Sequence, residues 1–417
     1  MGSDAREVVV IGGGVIGVSA AYYLARQGFG VTLIEAGRGR SGASYGNAGL
    51  LLASHIVPLA APGVLGQGLR WLLDASSPFY IQPRLSLSLA SWLWRFRAAC
   101  REERARRAMP VLRELLEKSL ALYRELAGEA GLAFGLAQAG LAKLFLTGAA
   151  YRQAEEEARL MRAHGLEARL LSFPELRDLG LVLNAAVIGG LYLPGDAHLV
   201  PARFVEAMIE ACRALGVDVD FETEVIGFET AGDRVIQVLT TRGPIRPDQV
   251  VLAAGAWSPA LARDLGLRLP IQPAKGYSLT YEGTSLKAAL PVLLSEARVA
   301  VTPLSEGRVR LAGTLEMTGT DLSVNRRRLE AIAAAVREYM PGLDGLTLTE
   351  IWRGPRPLTP DGLPLIGRPQ KYANLILACG HNTIGMALGP ITGKLVAELA
   401  AGQSPSLDLS PLHPDRF

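Results

Sequence analysis

A glycine-rich turn near the start of the chain has the residue types that dinucleotide binding requires. The segment Gly12–Gly17 reads Gly-Gly-Gly-Val-Ile-Gly, follows a short β-branched run and opens a helical pattern. In this motif Gly12 allows the tight turn, Gly14 lets the backbone approach a pyrophosphate, and Gly17 lets the helix pack on the sheet. Glu35 ends the next apolar run, with 17 residues between it and Gly17, where a carboxylate can bind ribose hydroxyls. The motif predicts a dinucleotide site and leaves NAD and FAD both open.

The patterns around this turn predict the elements that position it. Val8–Ile11 and Val31–Ile34 flank the helical pattern Val15–Gln27, which gives a strand–helix–strand opening. Gln249–Ala253 and Leu375–Ala378 are further candidates for buried parallel strands. These runs are far apart in the sequence, so we expect one sheet assembled from separated parts of the chain.

Another set of segments predicts a second sheet. Arg326–Tyr339 is an amphipathic helical pattern, and residues 101–127 and 151–164 are charged and helical. Four β-rich runs between these helices are typical of an antiparallel sheet. They are Leu141–Leu146, Tyr277–Tyr281, Val299–Leu304 and Arg308–Ala312.

Further motifs carry a family resemblance. In chain order they are Ser44–Gly49, Ala253–Ser258, Trp352–Gly362 and Gly380–Asn382. Together with the glycine-rich turn they resemble the D-amino acid oxidase and glycine oxidase family of FAD enzymes, over nearly the whole chain. Ala60–Val64 and Lys275–Thr280 add a similarity to the bacterial D-amino acid dehydrogenases within that family. One departure is Asn382, which stands where many relatives have glycine.

The resemblance implies non-covalently bound FAD, an antiparallel sheet over the flavin, and a quinone or another carrier as electron acceptor. The implied reaction is the oxidative deamination of D-amino acids to 2-oxo acids and ammonia by hydride transfer to the flavin. Two alternatives stay open: an oxidase or dehydrogenase of glycine, sarcosine or a D-proline derivative, and a non-catalytic FAD-binding subunit of a larger complex.

The fold that these observations predict is α/β, with a Rossmann-type FAD-binding domain and a second domain built on an antiparallel sheet plus helices. We predict that residues 1–88, 195–268 and 350–417 form the discontinuous FAD-binding domain. Residues 89–194 and 269–349 are predicted to form the substrate-binding domain, and 50–94 an apolar insertion.

The motifs and the resemblance together assign a set of residues to the cofactor. Beyond Glu35, Arg38, Arg40, Ser41 and Ser44 can supply donors to a dinucleotide's phosphates, although the two arginines can equally belong to a solvated loop. The predicted cofactor-binding residues are Gly12, Gly14, Val15, Ile16, Gly17, Glu35, Ala36, Arg38, Ser44, Asn47, Ala48, Gly49, Val225, Ala254, Gly255, Trp257, Gly380, His381, Asn382, Thr383, Ile384 and Gly385.

Arg356 is the residue that we expect to hold the substrate. A planar guanidinium is the best partner for a carboxylate, and two prolines fix the backbone around Arg356. By resemblance it also aligns with the carboxylate-binding arginine of the family. The alternatives are a structural ion pair at Arg356 and a substrate clamp at Arg353.

Tyr277 and His381 are the other predicted catalytic residues. Tyr277 either places its hydroxyl over the substrate or is a packed sheet tyrosine, and Lys275 is expected beside the flavin or the backbone rather than as a base. His381 either donates a hydrogen bond to the flavin or is structural. Gly380–Gly385 lies between a strand and a helix, so the helix dipole can stabilise negative charge near flavin N1 and O2.

Composition excludes several classes of function. The net charge is +3 without basic runs, which argues against nucleic-acid binding. Cys100, Cys212 and Cys379 are far apart and no metal-ligand spacing occurs, which favours a reduced compartment and no metal. The start lacks the pattern of a signal peptide, so we expect a cytoplasmic protein.

Residues 41–94 are unusually apolar, because Arg70, Asp74 and Arg84 are their only formal charges. Prolines and glycines interrupt the segment, which argues against a transmembrane helix. Three of the chain's five tryptophans, Trp71, Trp92 and Trp94, lie here. The segment either covers the active site or contacts the inner face of the cell membrane peripherally.

Overall fold

Two large sheets and the helices around them organise the protein. The computed structural model describes residues 6–39, 42–64, 66, 77, 79–82, 84–129, 131–283, 286 and 289–417. Within these ranges the helices are Val15–Arg26, Gly42–Tyr45, Leu87–Ala99, Glu102–Gly128, Gly148–Ala163, Phe173–Asp178, Pro201–Ala214, Ser258–Asp264, Arg326–Tyr339 and Gly385–Ala400. Short 3-10 turns lie at Gly255–Trp257, Leu343–Gly345, Ser410–Leu412 and Pro414–Arg416.

The first sheet has six strands and is parallel except at one edge. In spatial order they are Leu365–Gly367, Leu375–Cys379, Gln249–Leu252, Glu7–Ile11, Gly30–Ile34 and Asp218–Asp220, of which Leu365–Gly367 is antiparallel to its neighbour. The inner strands are buried on both faces, as their continuous apolar runs predict. The predicted assembly of one sheet from distant segments is confirmed.

The helix layer on this sheet is closely packed. Val15–Arg26 lies against Gly385–Ala400, where a Cβ added at Gly393 would come within 2.4 Å of the backbone of Ser19. Glu102–Gly128 packs on the same layer, and the Tyr123 hydroxyl donates to a carbonyl of the C-terminal helix. We predicted this long helix in the second domain. Its apolar face lies instead in the core of the first, because its leucines face the first sheet's helices.

The second sheet is mixed rather than purely antiparallel. Its strands, in spatial order, are Thr347–Leu358, Gln272–Glu282, Arg308–Met317, Val299–Pro303, Val292–Leu294, Leu141–Phe145, Gly189–Leu193 and Arg169–Ser172, with Phe79–Ile81 also paired to Arg308–Met317. Two of the pairings are parallel, and the rest are antiparallel. All four predicted strands belong to this sheet.

Two smaller sheets complete the described architecture. Val225–Ala231, Arg234–Thr240 and Gly243–Ile245 form an antiparallel meander, and Leu50–Leu51 pairs with Ala197–His198. The strand Thr347–Leu358 spans the predicted domain boundary at residue 350, so the chain returns to the first sheet after that strand. The domain boundaries otherwise stay a prediction.

Candidate functional site

A cavity of about 530 Å³ is lined by residues of both sheets. Its wall includes Gly12, Gly14, Val15, Ile16 and Glu35, which we call the turn end. It also includes Leu322 and Pro355–Pro357, which we call the arginine end. The glycine-rich turn and Arg356 therefore face one continuous space.

The turn end is shaped by glycines whose missing side chains leave room. Gly12 has φ +111°, and a Cβ there would lie 2.6 Å from the carbonyl oxygen of Ala253. A Cβ at Gly17 would lie 1.7 Å from the carbonyl oxygen of Gly12. Because the turn is this tight, the N-terminus of the helix Val15–Arg26 opens directly on the cavity, where a pyrophosphate fits.

Glu35 and Ser44 are fixed at this end by backbone N–H groups. The Glu35 carboxylate accepts from the N–H of Gly13 at 2.7 Å and of Gly37 at 2.8 Å. The Ser44 hydroxyl accepts from the N–H of Val15 at 3.0 Å. These contacts fix the Glu35 carboxylate and the Ser44 hydroxyl at the N-terminus of the helix Val15–Arg26, where the sequence predicts partners for a ribose and a phosphate.

The structure brings most of the predicted cofactor residues to the cavity wall. They are Gly12, Gly14, Val15, Ile16, Glu35, Ala36, Ser44, Asn47, Val225, Ala254, Gly255, Trp257, His381, Asn382, Thr383 and Gly385. The prediction did not include wall residues such as Thr223, Glu224 and Met386, which belong to no recognisable motif.

Six predicted residues, Gly17, Arg38, Ala48, Gly49, Gly380 and Ile384, are not on this wall. Arg38 pairs with Glu222 at 2.7 Å, and its side chain is 86% exposed, as the solvated-loop interpretation expects. The three glycines allow close backbone packing: a Cβ at Gly380, for example, would lie 2.6 Å from Thr359 Cγ2. Arg40 and Ser41 lie outside the described residues.

Arg356 extends from the strand Thr347–Leu358 into the arginine end. Its Nη1 donates to the carbonyl of Thr314 at 2.8 Å, and no carboxylate of the described residues lies within ion-pair distance. Burial lowers the pKa of Arg356 to about 10, so the guanidinium is charged at neutral pH. A half-buried cation without a counter-charge among the described residues is costly, and the open cavity beside it gives an anion access.

Two local features aim this guanidinium. A Cβ at Gly276 would lie 1.6 Å from Arg356 Nη1, so the missing side chain leaves the space in which the guanidinium lies. Thr314 has φ +69°, which is rare for a β-branched residue, and it sits where the pairing with the neighbouring strand is irregular. The irregularity turns the carbonyl of Thr314 toward Arg356.

Arg353, the rival clamp, does not face the cavity. Its side chain is exposed, and its Nε donates to the carbonyl of Leu322 at 2.9 Å. Arg353 and Arg356 are three residues apart on one strand, so they point to opposite faces of the sheet. The geometry favours Arg356.

Tyr277 is a packed sheet tyrosine, which was the alternative interpretation. It is fully buried and absent from the cavity wall. Its hydroxyl donates to Glu316 at 2.9 Å and accepts from the N–H of Asn325 at 3.1 Å. The hydroxyl is therefore already committed within the protein, and the predicted contact with substrate is not supported.

His381 and Asn382 join the arginine end to the C-terminal helix. His381 Nε2 is 3.0 Å from the Thr392 hydroxyl, and burial lowers the pKa of His381 to about 3, which keeps the ring neutral. Asn382 has φ +52°, and its side chain bonds Thr359 and the carbonyl of Gly380. Asparagine tolerates this backbone region, which explains how it replaces glycine here.

Arg310 is a residue that the sequence did not single out. Its Nη1 donates to the carbonyls of Tyr45 and Asn47, each at 3.0 Å, and its Nη2 is 2.9 Å from Glu350. Arg310 thus ties the loop that carries Ser44 and Asn47 to the second sheet. A buried arginine whose partners lie far away in the chain leaves no signal in a single sequence.

The fold and the cavity are those of a dinucleotide-binding protein in which an arginine faces the same space as the glycine-rich turn. A family model described as FAD dependent oxidoreductase matches residues 7–399, and the chain belongs to that family. FAD is its cofactor, as predicted, and the glycine cradle at the turn end fits it. Among the described residues no group of side chains could hold a metal ion.

The chain is similar to several proteins named D-amino acid dehydrogenase. One from Methylobacterium radiotolerans is 36% identical over 421 residues, covering 98% of this chain and 99% of that protein. Another from Chromohalobacter salexigens is 34% identical and covers 99% of both. Glycine oxidase from Geobacillus kaustophilus has a similar structure, with a TM-score of 0.78 and 25% identity over 99% of this chain and 100% of that one.

Proposed function

We propose that the protein catalyses the FAD-dependent oxidative deamination of D-amino acids to 2-oxo acids and ammonia, and passes the electrons to a quinone or another carrier. The observation that supports this most directly is the Arg356 guanidinium, charged and without a carboxylate partner among the described residues, in the same cavity as the dinucleotide turn. A carboxylate bound to Arg356 would hold the rest of an amino acid inside that cavity.

The reaction breaks two bonds of the substrate. The Cα–H bond breaks with loss of a hydride, the neutral amine loses a proton, and an imino acid remains. Bound FAD supplies the acceptor for the hydride. Water then adds to the imine and releases ammonia, leaving the 2-oxo acid.

The protein's contribution is binding and orientation. Arg356 fixes the carboxylate, and the neutral His381 ring adds no charge near the reacting carbon. Among the described wall residues, Glu35, Glu224 and Arg356 are the charged ones, so no carboxylate base stands beside the arginine end. Orientation of bound reactants can contribute up to about 7–11 kcal/mol, which makes a dedicated base unnecessary.

The choice of D-amino acids as substrates, and of a carrier over oxygen, is supported by the relatives named D-amino acid dehydrogenase. The structural similarity to glycine oxidase favours glycine and secondary amines as the second candidate. The test is anaerobic addition of D-alanine, L-alanine, D-proline and glycine to the purified protein while flavin absorbance is recorded. Bleaching by D-alanine but not L-alanine supports the proposal, and bleaching by glycine alone favours the second candidate. A yellow protein that none of these amino acids bleaches would contradict both.

Peripheral contact with a membrane is part of this proposal. In the helix Leu87–Ala99 one face is buried, with Trp92 donating to the carbonyl of Leu358 at 3.0 Å. The side chain of Trp94 on the other face is 71% exposed, and Leu85 and Leu87 beside it are more exposed still. Arginines at 84, 95 and 97 surround this patch, and residues 84–101 contain no carboxylate. Trp71 lies outside the described residues, and no helix within them is long and apolar enough to cross a bilayer.

This surface fits an anionic lipid interface. Flotation with vesicles that contain anionic phosphatidylglycerol should recover the wild-type protein, and Trp94→Ser should reduce the recovered fraction. Ile226→Ser, at an apolar residue of the small meander that is 62% exposed, is the control. Equal flotation of all three proteins, or none, would contradict the contact.

A further inference from the structure

Part of the wall at the arginine end is Leu322, which belongs to the segment 318–325 after the strand Arg308–Met317. Asp321, Ser323 and Val324 in this segment are exposed, whereas Leu322 is half-buried and lines the cavity. Arg353 binds the Leu322 carbonyl at 2.9 Å, so Leu322 lies against the strand that carries Arg356. Arg353 points to the face opposite Arg356, so Leu322 is held at this edge strand, and its place on the cavity wall lets it meet whatever is attached to a carboxylate held by Arg356.

Buried side chains of the second sheet hold this segment by its backbone. Lys275 Nζ donates to the carbonyl of Ser323 at 2.7 Å. The Tyr277 hydroxyl accepts from the N–H of Asn325 at 3.1 Å. Lys275 is 2% exposed and lies 3.4 Å from Glu316, which also accepts from Tyr277 at 2.9 Å.

A second cation completes the buried cluster. Arg328 Nε lies 3.3 Å from the other oxygen of Glu316, and both side chains are less than 5% exposed. The Glu316 carboxylate is thus surrounded by the cations Lys275 and Arg328 and by the Tyr277 hydroxyl. Since removing one partner from such a buried group is strongly unfavourable, the segment has a fixed position rather than a mobile one.

We propose that Leu322 determines which amino-acid side chains the enzyme accepts, and that Lys275 and Tyr277 position it. This inference rests on the proposed function and names its substrate class: amino acids with uncharged, apolar side chains. The wall supports that class, because Glu35 and Glu224 belong with the turn end, where the N–H of Thr223 donates to the Glu35 carbonyl. A charged side chain of the substrate would lose its hydration at the arginine end without gaining a counter-charge. An apolar side chain has no such cost.

The test compares Leu322→Lys with Val324→Lys, an exposed position on the same segment. The specificity constant kcat/KM is measured for D-leucine, D-alanine and D-glutamate with an artificial dye as acceptor. We expect wild type to prefer D-leucine over D-glutamate, and Leu322→Lys to shift that ratio roughly 100-fold or more toward D-glutamate. Val324→Lys should leave the ratio unchanged. An unchanged ratio in Leu322→Lys would overturn the inference while leaving the deamination itself intact.

The positioning role has a separate measurement. Tyr277→Phe should raise KM for D-leucine more than for D-alanine and leave kcat nearly constant, because the wall shifts while the chemistry does not. A uniform loss of kcat for both substrates would show a merely structural role.

Binding of unreactive acids separates this inference from the proposed function. Acetate, 4-methylpentanoate and glutarate are titrated against the FAD-loaded enzyme, and the change in flavin absorbance is recorded. Leu322→Lys should weaken the binding of 4-methylpentanoate and strengthen the binding of glutarate. If these shifts in affinity occur but no amino acid bleaches the flavin, the proposed function is wrong, whereas the role of Leu322 in selecting side chains is supported. If the acids bind wild type and Leu322→Lys with equal affinity, the inference about Leu322 is wrong.

Discussion

The two ends of the cavity differ in the atoms that form their walls: backbone atoms at the turn end and side chains at the arginine end. At the turn end the wall is shaped mainly by the backbone, with glycines where a Cβ would collide. At the arginine end the groups are side chains, Arg356 and Leu322, that two neighbouring strands and a loop hold in place. The turn end can bind one chemical group shared by many enzymes, whereas the arginine end can change its ligand through single substitutions.

Replacing Arg356 should have the largest effect. Loss of one partner of a buried charge pair costs about 2–5 kcal/mol, which predicts a decrease in kcat/KM of roughly 30- to 5,000-fold for Arg356→Ala. Arg356→Lys keeps the charge but not the planar fork, so an intermediate loss is expected. Steady-state kinetics with D-alanine measure both. Arg353→Ala is the comparison, and a loss equal to that of Arg356→Ala would assign the clamp to the wrong arginine.

Gly276→Ala should impair the arginine end without touching the turn end. The new Cβ would lie 1.6 Å from Arg356 Nη1, and the guanidinium can move away because it ends a flexible side chain. A displacement of this size can lower the rate about 100-fold. The FAD content of the purified protein should stay that of wild type. Gly227→Ala, on a strand where the nearest side-chain atom would be 3.7 Å away, should be silent. Wild-type kinetics in Gly276→Ala would mean that the aim of Arg356 is unimportant.

Glu350→Gln should weaken the contacts by which Arg310 holds the loop carrying Ser44 and Asn47 on the second sheet. Glu350 is the carboxylate partner of Arg310, which holds the carbonyls of Tyr45 and Asn47. The Glu350 side chain is 31% exposed, so the cost is below that of a fully buried pair, about 1–3 kcal/mol of unfolding free energy. Denaturant unfolding measures it, and release of FAD should begin at a lower denaturant concentration than in wild type. The exposed Glu306→Gln serves as the control, and equal losses in the two variants would contradict the role of Arg310.

The smallest predicted effect is on acid stability. The pKa of His381 in the folded protein is lowered to about 3 by burial, below its usual value of 6.5. The unfolded chain therefore binds a proton that the folded protein does not, and stability is lost as pH falls below 6.5. Between pH 6.5 and 5.5 the loss from this residue is about 1 kcal/mol. His381→Gln should reduce the loss, although His55, whose pKa burial lowers to about 4, keeps part of it. An unchanged pH dependence in the variant would contradict this account.

The difference between the two ends also explains what the sequence could predict. The turn end was predicted almost residue by residue, because glycine spacing and one carboxylate encode a backbone shape directly. Arg356 was predicted through the two prolines beside it and the family resemblance. Tyr277 was left with two interpretations because a sheet position does not reveal which groups already satisfy a hydroxyl. Leu322 and Arg310 were missed because no local sequence pattern shows what they contact. Arg310 contacts residues more than 200 positions away in the chain, and Leu322 lies in a loop whose path the sequence does not show.

The assembly of the first sheet has a consequence for the order in which the protein can form during synthesis. The strand Leu375–Cys379 pairs with Gln249–Leu252, and the helix Gly385–Ala400 covers the N-terminal helix. Both are translated long after the glycine-rich turn. The turn therefore gains its full packing only after this later part of the chain has been made, so a nascent chain stalled before residue 375 should be unable to retain the cofactor.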